Sequence, residues 1–156
     1  MSNVNVGHLG AVVTISASQT TAGAPVPLNS FPKDTDPFDI PEIVIAEGEM
    51  GTNGDLVTWA VANPIPVTIA IIPNTPDHVF LQMLLNRNRP EKGKRPAGDN
   101  IVLVRVLPDG STLTLSSGSI SAGTVAPSMA SSGKLTTPTY SFLFGKMVST
   151  PANIIA

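Results

Sequence analysis

The chain has 156 residues and no cysteine. That length suits one domain with a buried core and no staples. The absence of cysteine excludes a thiolate nucleophile or a Cys-based zinc site. Charged residues make up only 13% of it, about half the roughly 25% usual for soluble proteins, and so neutral a surface calls for partners. The net charge of −2 hides an asymmetry. Residues 1–86 carry eight acids and one base, and residues 87–156 carry eight bases and three acids, −7 against +5. Opposed halves suit a nucleic-acid surface, two solvated faces, or a subunit whose acidic face meets the basic face of its own copy.

In chain order, MSNVNVGHLG contains no Lys or Arg, which argues against a secretory signal. Segment 10-GAVVTISAS-18 reads as a first strand. Residues 20–41 hold Pro25, Pro27, Pro32, Pro37 and Pro41. They read as an extended arm that reaches a neighbour. Asn53-Gly54 joins 42-EIVIAEGEM-50 to 55-DLVTWAVA-62, and Asp109-Gly110 joins 100-NIVLVRVL-107 to 111-STLTLSSGSISA-122. Both pairs tolerate positive φ, so both joins read as hairpins with tight primed turns. Segment 65-IPVTIAII-72 is a buried strand. It is also the longest kind of apolar run here, far short of the roughly 20 residues a membrane-spanning helix needs. In 101–107, Val102, Val104 and Val106 alternate with Ile101, Leu103, Arg105 and Leu107. The last strand, 139-TYSFLFGKMV-148, sets Tyr140, Phe142 and Phe144 on one face, and 149–156 is left as a tail.

One helix interrupts this pattern, at about residues 75–88. Thr75 caps it, Pro76 takes its first position and Asp77 meets its positive end. Val79, Phe80, Met83 and Leu84 give it an apolar face, widened by Leu81 and Leu85. Arg87 and Arg89 close it before Pro90. The expected fold is mostly β: one domain over 1–156, a β-sandwich or small β-barrel with this flanking helix over an open end or face.

Catalytic and metal motifs fail on inspection. The stretch 34-DTDPFD-39 begins like a calcium loop, but has Asp39 where glycine is needed and Ile45 where the closing glutamate belongs. The stretch 118-GSISA-122 is one residue from a nucleophile elbow, but lies in a Ser/Gly-rich strand. His8 and His78 are the only histidines. His8 lies in the terminus, and His78 reads as a surface or capping residue in the first helical turn. No nucleotide-binding or metalloprotease motif is present, so no enzyme activity, cofactor or metal is expected. The densest cationic cluster is 87-RNRPEKGKR-95, with Arg87, Arg89, Lys92, Lys94 and Arg95. It can contact phosphate, yet it has no interleaved aromatic for base stacking. A contact loop between subunits and a solvated loop remain alternatives.

The order of elements resembles the tail tube proteins of contractile-tailed bacteriophages, which include relatives such as the haemolysin-coregulated protein. The resemblance covers roughly 40–148. It rests on the hairpin 48-GEMGTNGDLVTWAVAN-63, the strand 66-PVTIAIIPN-74 running into 75-TPDHVFLQMLL-85, and the closing 117-SGSISAGTVAPSMASSGKLTTPTYSFLFG-145. It implies a structural virion protein that assembles with itself into stacked, hexameric rings, with edges paired across subunits. Implied partners are the tail sheath, baseplate and tape-measure proteins. DNA would pass through the lumen without specific binding. Localisation would be the phage tail, assembled in the host cytoplasm. On this reading Glu47 and Glu49 face the lumen, and Arg87, Arg89, Lys92, Lys94 and Arg95 contact another subunit or the sheath. The alternatives are a tail terminator, baseplate ring or decoration protein, then a nucleic-acid-binding β-barrel module, and last a hydrolase.

Overall fold

The computed structural model describes residues 10–32 and 36–150. His8, Asp34 and residues 151–156 of the tail lie outside them. Among the described residues, turn chemistry and alternation organise nine strands and one helix: β1 (Val12–Ala17), β2 (Val26–Leu28), β3 (Phe38–Asp39), β4 (Ala46–Met50), β5 (Leu56–Ala60), β6 (Ile65–Ala70), α1 (Pro76–Asn88), β7 (Ile101–Val106), β8 (Thr112–Gly123) and β9 (Thr139–Thr150). Seven strands form one antiparallel sheet in the order β2-β1-β7-β8-β9-β6-β3, curled into a half-barrel. The other two, β4 and β5, pair only with each other. The mostly-β class with one helix is as expected.

The curl comes from two irregularities in the long strands. The β7/β8 register shifts between Ile101 and Leu103, and the β8/β9 register shifts between Ile120 and Ala122. An extra residue in one strand bends it and increases its twist. The concave face collects the alternate side chains Ile15, Val67, Ile69, Ile101, Leu103, Leu115, Tyr140, Phe142 and Phe144, all essentially buried. Helix α1 lies over this face and adds Phe80, Leu81, Leu84 and Leu85 to the same core.

The helix begins as its sequence dictates. Thr75 is extended and its Oγ1 accepts from the His78 amide at 3.3 Å. Its buried face, however, is rotated from the expected one. Val79 is 62% exposed and Met83 44% exposed, whereas His78 and Leu81 are buried. Positions 78, 81 and 85 with 80 and 84 form the inner stripe, so residues 79 and 83 fall on its flank. His78 is therefore a core histidine and not a surface one. Its Nδ1 accepts from the Asn74 amide at 3.1 Å, and burial pushes the imidazole below its ordinary value.

Both hairpin turns differ from the expected primed type. Gly54 donates to the Gly51 carbonyl and Gly51 to that of Asp55; Gly110 and Leu107 repeat the pattern with Leu107 and Ser111. Gly54 and Gly110 have φ of +86° and +92°, while Asn53 and Asp109 stay negative. This is a type I turn followed by a left-handed glycine, the usual three-residue hairpin loop. Only the glycine of each pair needs positive φ.

The Pro-rich segment 20–41 contains two short strands that pair with the chain's own sheet. Val13↔Leu28 and Phe38↔Ile69 place β2 and β3 on its opposite edges. Prolines remove ladder donors, so these edges stay two or three residues long, which blunts them against stray pairing.

A polar latch ties the helix end to the first strand. The Asp99 carboxylate accepts from the Gln19 amide at 2.7 Å, the Thr20 amide at 2.9 Å, the Thr20 hydroxyl at 2.5 Å and Asn88 Nδ2 at 2.8 Å. Burial alone would raise its pKa, but the bonds from Thr20, Asn88 and Gln19 outweigh burial and hold it below the usual carboxylate range. A lowered folded value means stability that is present above about pH 4, where the unfolded carboxyl ionises. That stability is lost as pH falls through the folded value. Asp99→Ala should cost about 2–4 kcal/mol, because it removes the buried charged acceptor that four hydrogen bonds share. Thermal denaturation at neutral pH should show a Tm lower by about 5–15 °C. The gap between variant and parent should shrink in acid.

Candidate assembly surface

Among the described residues, the strands of hairpin β4–β5 pair with no other strand. Every residue of both strands is exposed, although a lone two-stranded hairpin is at best marginally stable in water. Its register pairs Glu47 with Trp59 and Glu49 with Val57 on one face, and Ala46 with Ala60, Gly48 with Thr58 and Met50 with Leu56 on the other. Val61 and Asn63 extend it with bonds to the carbonyls of Ile45 and Val44. Met50, Leu56, Val57 and Trp59 are all large, apolar and exposed. Glu47 and Glu49 thus share a face, as expected. They join no ion pair among the described residues, where the only one is Arg89–Glu91.

A second unmatched edge lies in β9. Residues 139–144 have β8 on one side and β6 on the other, down to Ile65↔Phe144. Beyond Phe144, β8 continues alongside to Thr112↔Thr150, but no described strand takes the place of β6. The chain diverges there, since β5 leaves for the hairpin. Residues 145–150 are exposed, with Met147 and Val148 among them. Unlike β2 and β3, this edge is long and carries no proline, so its free backbone groups invite another strand.

The basic cluster forms a turn after the helix. Glu91 and Lys94 bridge across Gly93, whose φ is +78°. The Lys94 ammonium donates to the Asn86 carbonyl, a cation on the last helical turn where the dipole favours it. Arg89 approaches Glu91 at 3.5 Å. Two of the five cations are thereby engaged within the chain, while Arg87, Lys92 and Arg95 stay exposed. The cluster and the two glutamates are not brought into contact with each other.

Among the described residues no group of three His, Asp or Glu side chains could hold a metal. No described helix is long and apolar enough to cross a membrane. Sequence reasoning missed the β9 edge, which depends on where β6 stops. The exposed hairpin had a legible signal: in LVTWA, Leu56 and Ala60 lie on one face and Val57 and Trp59 on the other.

A family model described as "Tail fiber protein gp32" matches residues 4–148, nearly the whole chain. The chain belongs to the tail fiber protein gp32 family. No curated protein matches the sequence. The gp32-family fold recurs in solved structures of contractile injection systems. One is the sheath/tube terminator of the extracellular system PVC in its extended state, with TM-score 0.56, 12% identity, 97% of this chain and 99% of that chain covered. Another is the PVC sheath–tube complex, with TM-score 0.56, 13% identity and 96% and 93% coverage. A third is the six-fold symmetrised baseplate of the anti-feeding prophage, with TM-score 0.56, 15% identity and 99% and 100% coverage. At these identities the likeness is one of fold.

Proposed function

We propose that this chain is a structural subunit of a phage tail or tail-like particle that assembles with itself into stacked rings forming the tail tube. The observation that carries the reading is the pair of unmatched edges: a fully exposed hairpin, β4–β5, and the bare 145–150 edge of β9. Pairing one subunit's hairpin with the next subunit's β9 satisfies both sets of backbone groups. Repeated around a ring, such head-to-tail contacts close on themselves. The family description and the tube-bearing assemblies that share the fold agree with this. Six subunits per ring, DNA passing through the lumen, Glu47 and Glu49 on its wall, and contacts with sheath, baseplate and tape-measure proteins complete the proposal. Such a subunit needs no catalytic group. Sedimentation of the purified chain over a concentration series should show species many times its own mass; a monomer throughout would refute self-assembly.

A tail terminator is the second reading. A terminator-containing structure matches as well as a tube-containing one, both at TM-score 0.56. A terminator closes one ring and stops, whereas a tube subunit stacks without limit.

The basic loop supplies the outer or inter-ring contact in this account. Replacing exposed Arg87, Lys92 and Arg95 with glutamine should lower tube yield several-fold at low ionic strength and much less at high salt, because surface charges are screened beyond about 10 Å at 0.1 M. Pelleting assays across a salt series check it. Equal yields at all salt concentrations would assign the loop to solvent.

A further inference from the structure

One cleft of the described molecule is lined from β1, β3 and β7. It holds about 580 Å³, within the roughly 300–1,000 Å³ of clefts that enclose a sizeable guest. Phe31, Pro37, Phe38 and Leu107 give it apolar walls, and Arg105 enters from β7. The Arg105 guanidinium stacks on Phe38, its carbon 5.2 Å from the ring centre. Its Nε is buried with no hydrogen-bond partner. Asp36 sits exposed on the rim and forms no ion pair with it. A buried cationic donor without a partner is costly. The cleft therefore fits a guest that is apolar and carries a carboxylate.

The chain itself presents such a group. At the tip of hairpin β4–β5, Met50 and Leu56 pair on one face, 65% and 67% exposed. Asp55 stands next to Leu56, and among the described residues its carboxylate is held only by Asn53. We infer that the hairpin tip of one copy docks in the Arg105 cleft of a second copy, with Met50 and Leu56 against Phe31 and Phe38 and Asp55 beside Arg105. Both halves of the contact sit on every copy at different places, as a head-to-tail contact that continues beyond a dimer requires. This rests on the proposal that the chain assembles with itself, and goes beyond it by naming a side-chain contact distinct from strand pairing.

The absence of cysteine makes the test clean. Leu56→Cys and Leu107→Cys placed in one chain and mildly oxidised should give a ladder of covalent multimers beyond dimer, reversed by reductant. The control pair Leu56→Cys with Val125→Cys, which puts the second thiol on an exposed loop, should stop at dimer. In an independent arm, Arg105→Glu should raise the concentration needed for assembly roughly tenfold or more, and Asp55→Arg in the same chain should restore it. Tubes without a ladder or charge-swap rescue would overturn the docking and leave the tube reading standing. A ladder without rings would uphold the docking and overturn the tube. Neither ladder nor rings would overturn both.

Discussion

Gly118→Val should abolish the folded domain, and even Gly118→Ala should be strongly destabilising. A Cβ at Gly118 would sit 2.2 and 2.4 Å from ring carbons of Phe144 and 3.1 Å from the Ile101 carbonyl oxygen. Gly118 lies in β8 between Ile101 on β7 and Phe144 on β9, so the ring of Phe144 crosses the space that a side chain would claim. Phe144 cannot retreat: it is fully buried and stacks on Phe142 at 6.2 Å between centroids. The preceding Ser117 already holds a φ of +55° at the bulge, which leaves little backbone freedom to absorb a shift. Overpacking a core costs about 1–3 kcal/mol and sometimes more, against a total stability of roughly 5–15 kcal/mol. Thermal denaturation should place the alanine variant about 5–12 °C below the parent, and the valine variant should lack the near-UV signal of packed aromatics. Gly145→Ala is the control, since the nearest atoms to its added Cβ lie at 3.6 Å. A Tm for Gly118→Ala equal to that control would refute the packing described for β8 and β9.

Glu47→Lys with Glu49→Lys should leave assembly intact and impair passage of DNA. Both side chains are exposed on one hairpin face and paired across the strand with Trp59 and Val57, not with a cation. Their removal therefore breaks no ion pair of the described fold, and surface charge changes of this kind usually alter stability by less than about 0.5 kcal/mol. The double substitution changes each subunit by four units of charge and, repeated around the proposed ring, would turn a wall that repels phosphate into one that binds it. Phosphate contacts add up, and each neutralised phosphate steepens the salt dependence. DNA release from particles carrying the variant should slow roughly tenfold or more at low salt and recover as salt rises. Release at the parental rate from correctly built particles would move the hairpin face off the lumen wall.

The parts of the fold legible in sequence were those set by local chemistry. Thr75, Pro76 and Asp77 announced the helix start, the Asn-Gly and Asp-Gly pairs announced two hairpins, and alternation in 101–107 and 139–148 located the aromatic core. What failed depended on the rest of the molecule. The helix carries apolar residues on most sides, so periodicity could not choose between Val79–Met83 and His78–Leu81–Leu85; the concave sheet chose. The Pro-rich segment 20–41 read as an extended arm, and its two edge strands gave no signal, since two or three residues between prolines suffice to pair. The turn type was misread because Asn tolerates positive φ without requiring it. Within the candidate surface, Glu47 and Glu49 were found to share a face because strand alternation is strict. The cleft at Arg105 was invisible, since residues near 31, 37 and 105 meet only once β1, β3 and β7 are in place. The basic loop could be listed residue by residue, but Lys94 capping the helix and Arg89 reaching Glu91 needed coordinates.

Negative-stain electron microscopy of the purified chain across a concentration series tests the central claim most directly. Rings with an open centre should stack into tubes of increasing length as concentration rises. Single rings that never stack would contradict the tube in favour of a terminator, and an unassembled globule at every concentration would contradict self-assembly altogether.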